Sequence, residues 1–202
     1  MPILLYRPKL LRLKGLVILD SRQVKFGMIR LGEFRVSLYP NAGITWENWG
    51  GRVTFKGTCN IGNASAISIG NSGDLSFGNN FSSTAAFRIA CYHFIEFKDN
   101  VLFAWENIVV DTDFHKTKKA DTLLENKGFA PVKIGANNWF GLRCTTLKGT
   151  ETSDFTIIAA NSMLNKKYDT PKHSILAGSP ASLKLTGIYL DRNDDILNYT
   201  QV

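Results

Sequence analysis

From Ile134 onward the chain places Ile134, Phe140, Thr146, Thr152, Ile158 and Leu164 at a constant step of six, with small or polar residues at most positions between them. Six fits neither the turn of a helix nor the alternation of a single strand, so the backbone must change direction once per repeat. A triangular coil satisfies this pattern. Each side is a short strand carrying one apolar residue inward, and each corner takes a small residue able to adopt an unusual backbone angle. Stacked coils bury a continuous ladder of side chains and satisfy one another's backbone hydrogen bonds. An aliphatic or aromatic residue followed by glycine recurs upstream at Ile61-Gly62, Ile69-Gly70 and Phe77-Gly78. Phe97, Phe103 and Val109 continue the step in a shifted register. The competing reading is a β-sandwich whose Gly and Asn turns merely look periodic.

The expected organisation is all-β, with a solenoid over 51–185. Residues 1–50 form an irregular N-terminal cap containing strand-like runs at Leu16–Leu19 and Arg35–Leu38. The lysine-rich stretch 116–131 has no six-step and should leave the coil as a projecting loop. Residues 186–202 form a tail in which Asp191 to Tyr199 reads as a short surface helix capped by Asp191.

With 44% hydrophobic and 20% charged residues, the 202-residue chain can bury a real core. The apolar start is broken by Arg7, Lys9, Arg12 and Lys14, which suits neither a spanning helix nor a signal peptide. Cys59, Cys91 and Cys144 form no CxxC pair, so neither a disulfide framework nor a thiolate zinc site is expected, and a reducing cytoplasm is the simpler setting. The net charge of +7 calls for an anionic partner. Nucleic acid is not expected, because no recognition motif is present and the basic residues are dispersed. The start, with Ile3, Leu4 and Leu5 among cations, reads either as a capping strand or as a peripheral contact with an anionic membrane.

Four segments in fixed order carry a family likeness: Asp111-Thr-Asp-Phe-His115; Val132-Lys-Ile-Gly-Ala-Asn-Asn-Trp-Phe-Gly141; Thr146-Leu-Lys-Gly149; and Ile158-Ala-Ala-Asn-Ser162 followed by Leu176-Ala-Gly-Ser-Pro-Ala181. Over roughly residues 55 to 185 the chain resembles the hexapeptide-repeat acyltransferases, in particular the sugar O-acetyltransferases of surface-polysaccharide synthesis and of the maltose and galactoside type. The resemblance implies a left-handed parallel β-helix assembled as a homotrimer. Acetyl-CoA would lie along the seam between neighbouring coils as co-substrate, a saccharide would be the acceptor, and no metal would be needed.

A sugar hydroxyl is a poor nucleophile at neutral pH, so attack on a thioester needs a base within hydrogen-bond reach, and histidine suits that task. The chain has His93, His115 and His173. The resemblance assigns the role to His115, which closes the segment before the projecting loop. Asp113, or else Asp111, could orient its imidazole. By resemblance the backbone amide of Leu142, after Gly141, serves the oxyanion, with leucine replacing the usual small residue, and Trp139 lies beside the pantetheine arm. Ala159 and Ala160 leave the backbone open to the cofactor, and Lys166, Lys167 and Lys184 are candidates for its phosphates.

Arg88, Trp105, Glu106 and Asn107 combine an aromatic face with hydrogen-bonding groups, as acceptor contacts would. Relatives acting on simple galactosides or maltose carry an asparagine near the segment Ser82-Ser-Thr-Ala-Ala86, and this chain does not. A lipid-linked or nucleotide-linked polysaccharide unit therefore fits better than a lactose-like sugar. Three alternatives remain open. One is an N-acetyltransferase for a nucleotide-linked amino sugar, although residues 1–50 lack a glycine-rich nucleotide loop. The others are a three-histidine metal lyase and a non-enzymatic scaffold.

Overall fold

The computed structural model describes residues 1–198 and winds them into a triangular solenoid with three sheets for walls. The first face runs through Ile3–Leu5, Ile29–Glu33, Cys59–Gly62, Phe81–Ser83, Leu102–Phe103, Trp139–Phe140, Thr156–Ile158 and Ser174–Ala177. The second stacks Lys9–Leu13, Ile44–Asn48, Ser65–Ile69, Arg88–Cys91, Ile108–Val110, Thr145–Thr146 and Met163–Leu164. The third stacks Leu16–Leu19, Arg52–Phe55, Asp74–Phe77, Phe94–Phe97, Val132–Ile134, Glu151–Thr152 and Lys167–Tyr168. Pairing within each stack is parallel, since the chain visits the three faces in the same order on every circuit.

The six-step register is the inward register. Ile134, Phe140, Thr146, Thr152, Ile158 and Leu164 are all buried. Phe140 pairs with Ile158 and Ile158 with Leu176 at a regular spacing of three hexapeptides. Ile61 pairs with Ser83 and Ser83 with Phe103 across longer coils, which is why the upstream period slips. The larger coils hold larger side chains. Phe55, Phe77 and Phe97 stack face to face along the third wall at 5.2 and 5.5 Å, and Phe103 stacks on Phe140 at 4.1 Å.

The corners recruit residues that tolerate a left-handed backbone. Asn80, Asn100 and Asn137 lie one above another with φ near +60° and pass hydrogen bonds down the edge, from Asn80 Nδ2 to Asn100 Oδ1 at 3.0 Å and from Asn100 Nδ2 to Asn137 Oδ1 at 3.1 Å.

Two expectations need correction. Residues 1–50 are not irregular. They already form one complete coil and most of a second, although as the terminal coils they do end the solenoid. Arg35–Leu38 is not a strand but part of the excursion 34–42, which leaves the first corner and bends back along it. At this end Leu5, Leu10, Leu13 and Val17 stay exposed around an apolar mouth, because no further coil covers them. The opposite end is closed on one wall by Ser182–Thr186, antiparallel to Ser174–Ala177.

The proposed C-terminal helix does not form over 191–198. A single turn is closed by Asp191 Oδ1 accepting from the Asn193 amide, and Ile196 and Leu197 have nothing to pack against. Tyr199 lies outside the described residues. Among the described residues no helix is long and apolar enough to cross a membrane. Cys59, Cys91 and Cys144 are buried free thiols, and burial pushes each thiol above its ordinary value.

Candidate active site

After Ile108–Val110 the chain leaves the corner between the second and third faces and returns at Val132. The buried carboxylate of Asp111 roots this departure by accepting from the amides of Tyr92 at 2.9 Å and His93 at 2.8 Å in the coil above. It therefore secures the corner and cannot orient His115. The root is zipped by the Asp113 amide to the Gly128 carbonyl at 2.7 Å and the Ala130 amide to the Asp111 carbonyl at 3.1 Å. Beyond it, Thr117–Lys118 and Glu125–Asn126 pair antiparallel, so the projecting loop is a short hairpin.

His115 stands at the foot of that hairpin in a depression walled by Tyr92, Phe114, Lys127 and Phe129. Phe114 meets Tyr92 edge-on at 5.0 Å. Among the described residues the imidazole has no hydrogen-bond or ion-pair partner, which leaves both ring nitrogens open to a ligand. Asp113 does not supply one. Its carboxylate pairs instead with Lys148 at 3.3 Å, because the exposed hairpin root breaks the strand alternation that would have aimed it at the ring. The other histidines pack against aromatic rings at a tilt: His93 on Phe129 at 4.8 Å, and His173 between Phe155 at 4.9 Å and Tyr189 at 5.0 Å.

Lys166 and Lys167 follow Met163–Leu164 at the same corner between the second and third faces as His115, whereas Trp105, Glu106, Asn107, Gly141 and Leu142 gather on another edge, between the first and second faces. There Ala104, Trp105, Glu106 and Asn107 turn one corner, and Gly141, Leu142 and Arg143 turn the corner below. Gly141 is required sterically, since a Cβ would meet the Ala160 nitrogen at 2.7 Å. The Arg143 amide donates to the Trp105 carbonyl at 2.8 Å, and the Leu142 carbonyl accepts from Asn161 at 2.9 Å. No described residue accepts from the Leu142 amide, so it remains free for an oxyanion. Ala160 is exposed, while the Ala159 amide is held by the Leu176 carbonyl at 2.9 Å.

Asn107 must be withdrawn as an acceptor contact. It is fully buried, its Nδ2 donates to the carbonyls of Ala104 and Gly141, and its Oδ1 accepts from the Cys144 amide, so it fastens two successive corners. Glu106 is likewise held, by the Tyr39 hydroxyl at 2.8 Å and by Arg143. Arg143 and Tyr39, which the sequence reading overlooked, together lower the Glu106 carboxyl below its ordinary value. Trp105 is half-buried with its Nε1 enclosed and unpartnered, and Arg88 projects from the second face. Trp139 lies in an outward apolar column between Leu102 and Ile157. Lys166 sits 5.7 Å above the Tyr168 ring, Lys167 pairs with Asp169 at 3.1 Å, and Lys184 is exposed on the closing strand.

The two clusters thus occupy opposite ends of the second face. A wall of three to five residues at about 3.3 Å each holds the edges roughly 10–17 Å apart, too far for one reacting atom to touch both. Among the described residues no group of His, Cys, Asp and Glu side chains could hold a metal ion.

Comparison with known proteins bears on the fold more than on the chemistry. No family model matches the chain. A stretch of 61 residues is 36% identical to "Putative acetyltransferase SAR2635" of Staphylococcus aureus strain MRSA252, covering 29% of this chain and 30% of that protein. Related proteins of strains COL and Mu50 match over the same length at 36% and 34%. The chain thus matches about 30% of the length of these curated relatives. Among solved structures, the polySia specific acetyltransferase NeuO superposes with a TM-score of 0.58 at 13% identity, covering 96% of this chain and 91% of that one. A mutant of AntD, an N-acyltransferase from Bacillus cereus in complex with dTDP and coenzyme A, gives a TM-score of 0.51 at 12% identity over 89% and 86%. The chain has the left-handed parallel β-helix fold of the hexapeptide-repeat acyltransferases.

Proposed function

We propose that the chain is an acetyl-CoA-dependent O-acetyltransferase acting on a sugar hydroxyl in capsule or lipopolysaccharide synthesis, with His115 as general base in a homotrimer. One observation carries the proposal. The unpartnered imidazole and the free Leu142 amide are set on different edges of the prism, so each protomer presents two halves of a site at separate edges. Assembly side by side would bring one protomer's His115 opposite its neighbour's Leu142 and Trp139.

The residues present fit the co-substrate. The column of Leu102, Trp139 and Ile157 offers an apolar track for the pantetheine arm, Ala160 leaves its backbone accessible, and Lys166 and Lys184 are charges available to phosphates. Acetyl-CoA supplies the activated acyl group. His115 takes the proton of the attacking hydroxyl as the new C–O bond forms, and the Leu142 N–H donates to the oxygen that gains charge. The imidazolium then returns the proton to the departing thiolate as the C–S bond breaks. Asp113, tied to Lys148, is left with a structural role at the hairpin root.

Consumption of acetyl-CoA against a panel of oligosaccharides, nucleotide sugars and amino sugars tests this reading. His115→Ala should lower kcat by about 10²–10⁴-fold. Equal turnover by variant and parent would remove His115 from the chemistry, and transfer confined to amino groups would make the protein an N-acetyltransferase.

The buried thiols suit a cytoplasmic protein, and the open end of the solenoid suits a membrane surface. The first 25 residues, which supply much of its apolar mouth, carry Arg7, Lys9, Arg12, Lys14, Arg22 and Lys25 against a single carboxylate, Asp20. That charge would repel a second copy stacked end to end and attract anionic lipid, whose headgroups and water can also satisfy the unpaired strand edges. The expected result is flotation with phosphatidylglycerol vesicles that falls as salt rises. Equal recovery with neutral vesicles, or none with either, would dismiss the contact.

A further inference from the structure

Tyr92 belongs to two depressions at once. On one side it walls the depression that holds His115. On the other it lines a second hollow with Glu47, Trp49, Gly70, Asn71 and Ser72. The two adjoin at Tyr92 and lie in line along the corner between the second and third faces, from the fifth coil at His115 through Tyr92 and Asn71 to Trp49 in the second. Three coil steps of about 4.8 Å make this roughly 14 Å long, more than one pyranose ring can span.

The lining is unlike a patch made for another protein. Aromatic groups occur at intervals along it, as Phe114, Tyr92 and Trp49, and the spaces between them are polar. Trp49 is 37% exposed, and the Arg12 guanidinium lies 4.4 Å from the ring centroid, covering one face and holding the indole in place. Tyr92 is fixed by its contact with Phe114 and by its hydroxyl, 3.1 Å from Ser68 Oγ. Ser68 in turn donates to Glu47 at 2.7 Å, which leaves the other carboxylate oxygen for a ligand. Rigid aromatic faces alternating with amide, hydroxyl and carboxylate groups are the chemistry that reads a sugar chain, with its apolar ring faces and its rim of hydroxyls.

We infer that these two hollows form an acceptor-binding track, with Trp49 and Tyr92 as platforms for successive sugar rings, so that the substrate is an extended glycan modified at the residue reaching His115. The inference rests on the acetyl-transfer reading above and deepens it. It also moves acceptor recognition from the edge of Trp105 and Glu106 to that of His115 itself.

The test is acetyl transfer from acetyl-CoA to ladders from monosaccharide to hexasaccharide, one neutral (maltooligosaccharides), one N-acetylated (chito-oligosaccharides) and one acidic (oligosialic acid). For the ladder that is acetylated, kcat/KM should rise with length and level off once the track is filled. Trp49→Ala should cut the gain made by the longer members by about tenfold, while Trp49→Phe, which keeps a ring over Arg12, should restore most of it. A kcat/KM that is flat with length, or the same length dependence in Trp49→Ala and parent, overturns the track and leaves acetyl transfer standing. Transfer to no member of any ladder counts against the saccharide reading itself.

Discussion

The second and third walls are built from the same repeat and share one core, yet their outer surfaces differ. On the third, Glu96, Lys133, Glu151 and Lys167 follow one another in register as an alternating ladder of charge, flanked by the ion pairs Arg52 with Asp74, Lys56 with Glu96 and Lys98 with Asp154. On the second, the outward column reads Ala66, Arg88, Ile108, Thr145 and Met163, beside Ser68, Ala90 and Val110. The first wall adds Leu102, Trp139, Ile157 and Ile175. Cross-strand charge pairs suit a surface that stays in water, whereas columns mainly of apolar and small residues, with Arg88 their one charge, suit one that is covered. The inward residues fix the fold, and the outward ones set apart a wall suited to water from walls suited to being covered, as the proposed assembly requires.

The strongest way to break this contrast is to charge the second wall. If the proposed assembly forms, Ile108→Glu combined with Val110→Glu should convert it to monomers in light scattering and, by separating the two halves of the proposed site, lower acetyl transfer by about as much as loss of the base, 10²–10⁴-fold. Lys133→Glu, which inverts a charge on the third wall, should leave the mass unchanged. If both variants keep the parent's mass, the walls are not distinguished by assembly.

A matched pair of inward threonines sharpens the comparison within the core. Thr152, on the third wall, donates to Asn138 Oδ1 at 2.8 Å and accepts from the Gly135 amide at 3.0 Å, whereas the buried hydroxyl of Thr146, on the second, has no partner. Thr152→Val should cost about 1–3 kcal/mol by orphaning those groups, and Thr146→Val should stabilise by about 1 kcal/mol. Opposite movements of the thermal midpoint are the expected signature.

The smallest effect lies at the first corner. The folded Glu106 carboxyl sits below its ordinary value, held there by Arg143 and then by Tyr39. The contact is therefore present above the unfolded carboxylate value and is lost as pH falls through the lowered one. Removing one of the two supports, in Tyr39→Phe, should raise the Glu106 titration toward the ordinary carboxylate range, read from its carboxyl carbon by NMR. An unmoved titration would mean that Arg143 alone sets it.

The regular part of the solenoid was legible because the coils after Ile134 repeat the same buried positions every six residues, Ile134, Phe140, Thr146, Thr152, Ile158 and Leu164 at one and Asn138, Cys144, Thr150, Thr156 and Ser162 at the other. The first two coils were not legible, because the excursion 34–42 breaks the count and Leu10, Leu13 and Val17 point to an uncovered end where apolar spacing has no core to report. His115 was chosen through the family resemblance, in which the histidine closes the segment before the projecting loop, and the pattern of the residues alone did not distinguish it from His93 and His173. Asn107 misled because an asparagine at a corner reads alike whether its amide meets a ligand or closes a turn. Trp49 and Tyr92 were missed for a different reason: residues so far apart in the chain become neighbours along an edge only after the coil lengths are known.

A solenoid carries no internal instruction to stop, and the strands Ile3–Leu5, Lys9–Leu13 and Leu16–Leu19 present an outer edge of donors and acceptors to which another strand could add. Addition there would be head to tail, and such growth forms a fibre rather than a closed particle. Lys9, Arg12 and Lys14 stand along this rim as gatekeepers. Replacing Lys9, Arg12 and Lys14 with neutral residues should therefore favour strand addition at this edge, a cost to solubility felt before any change in chemistry.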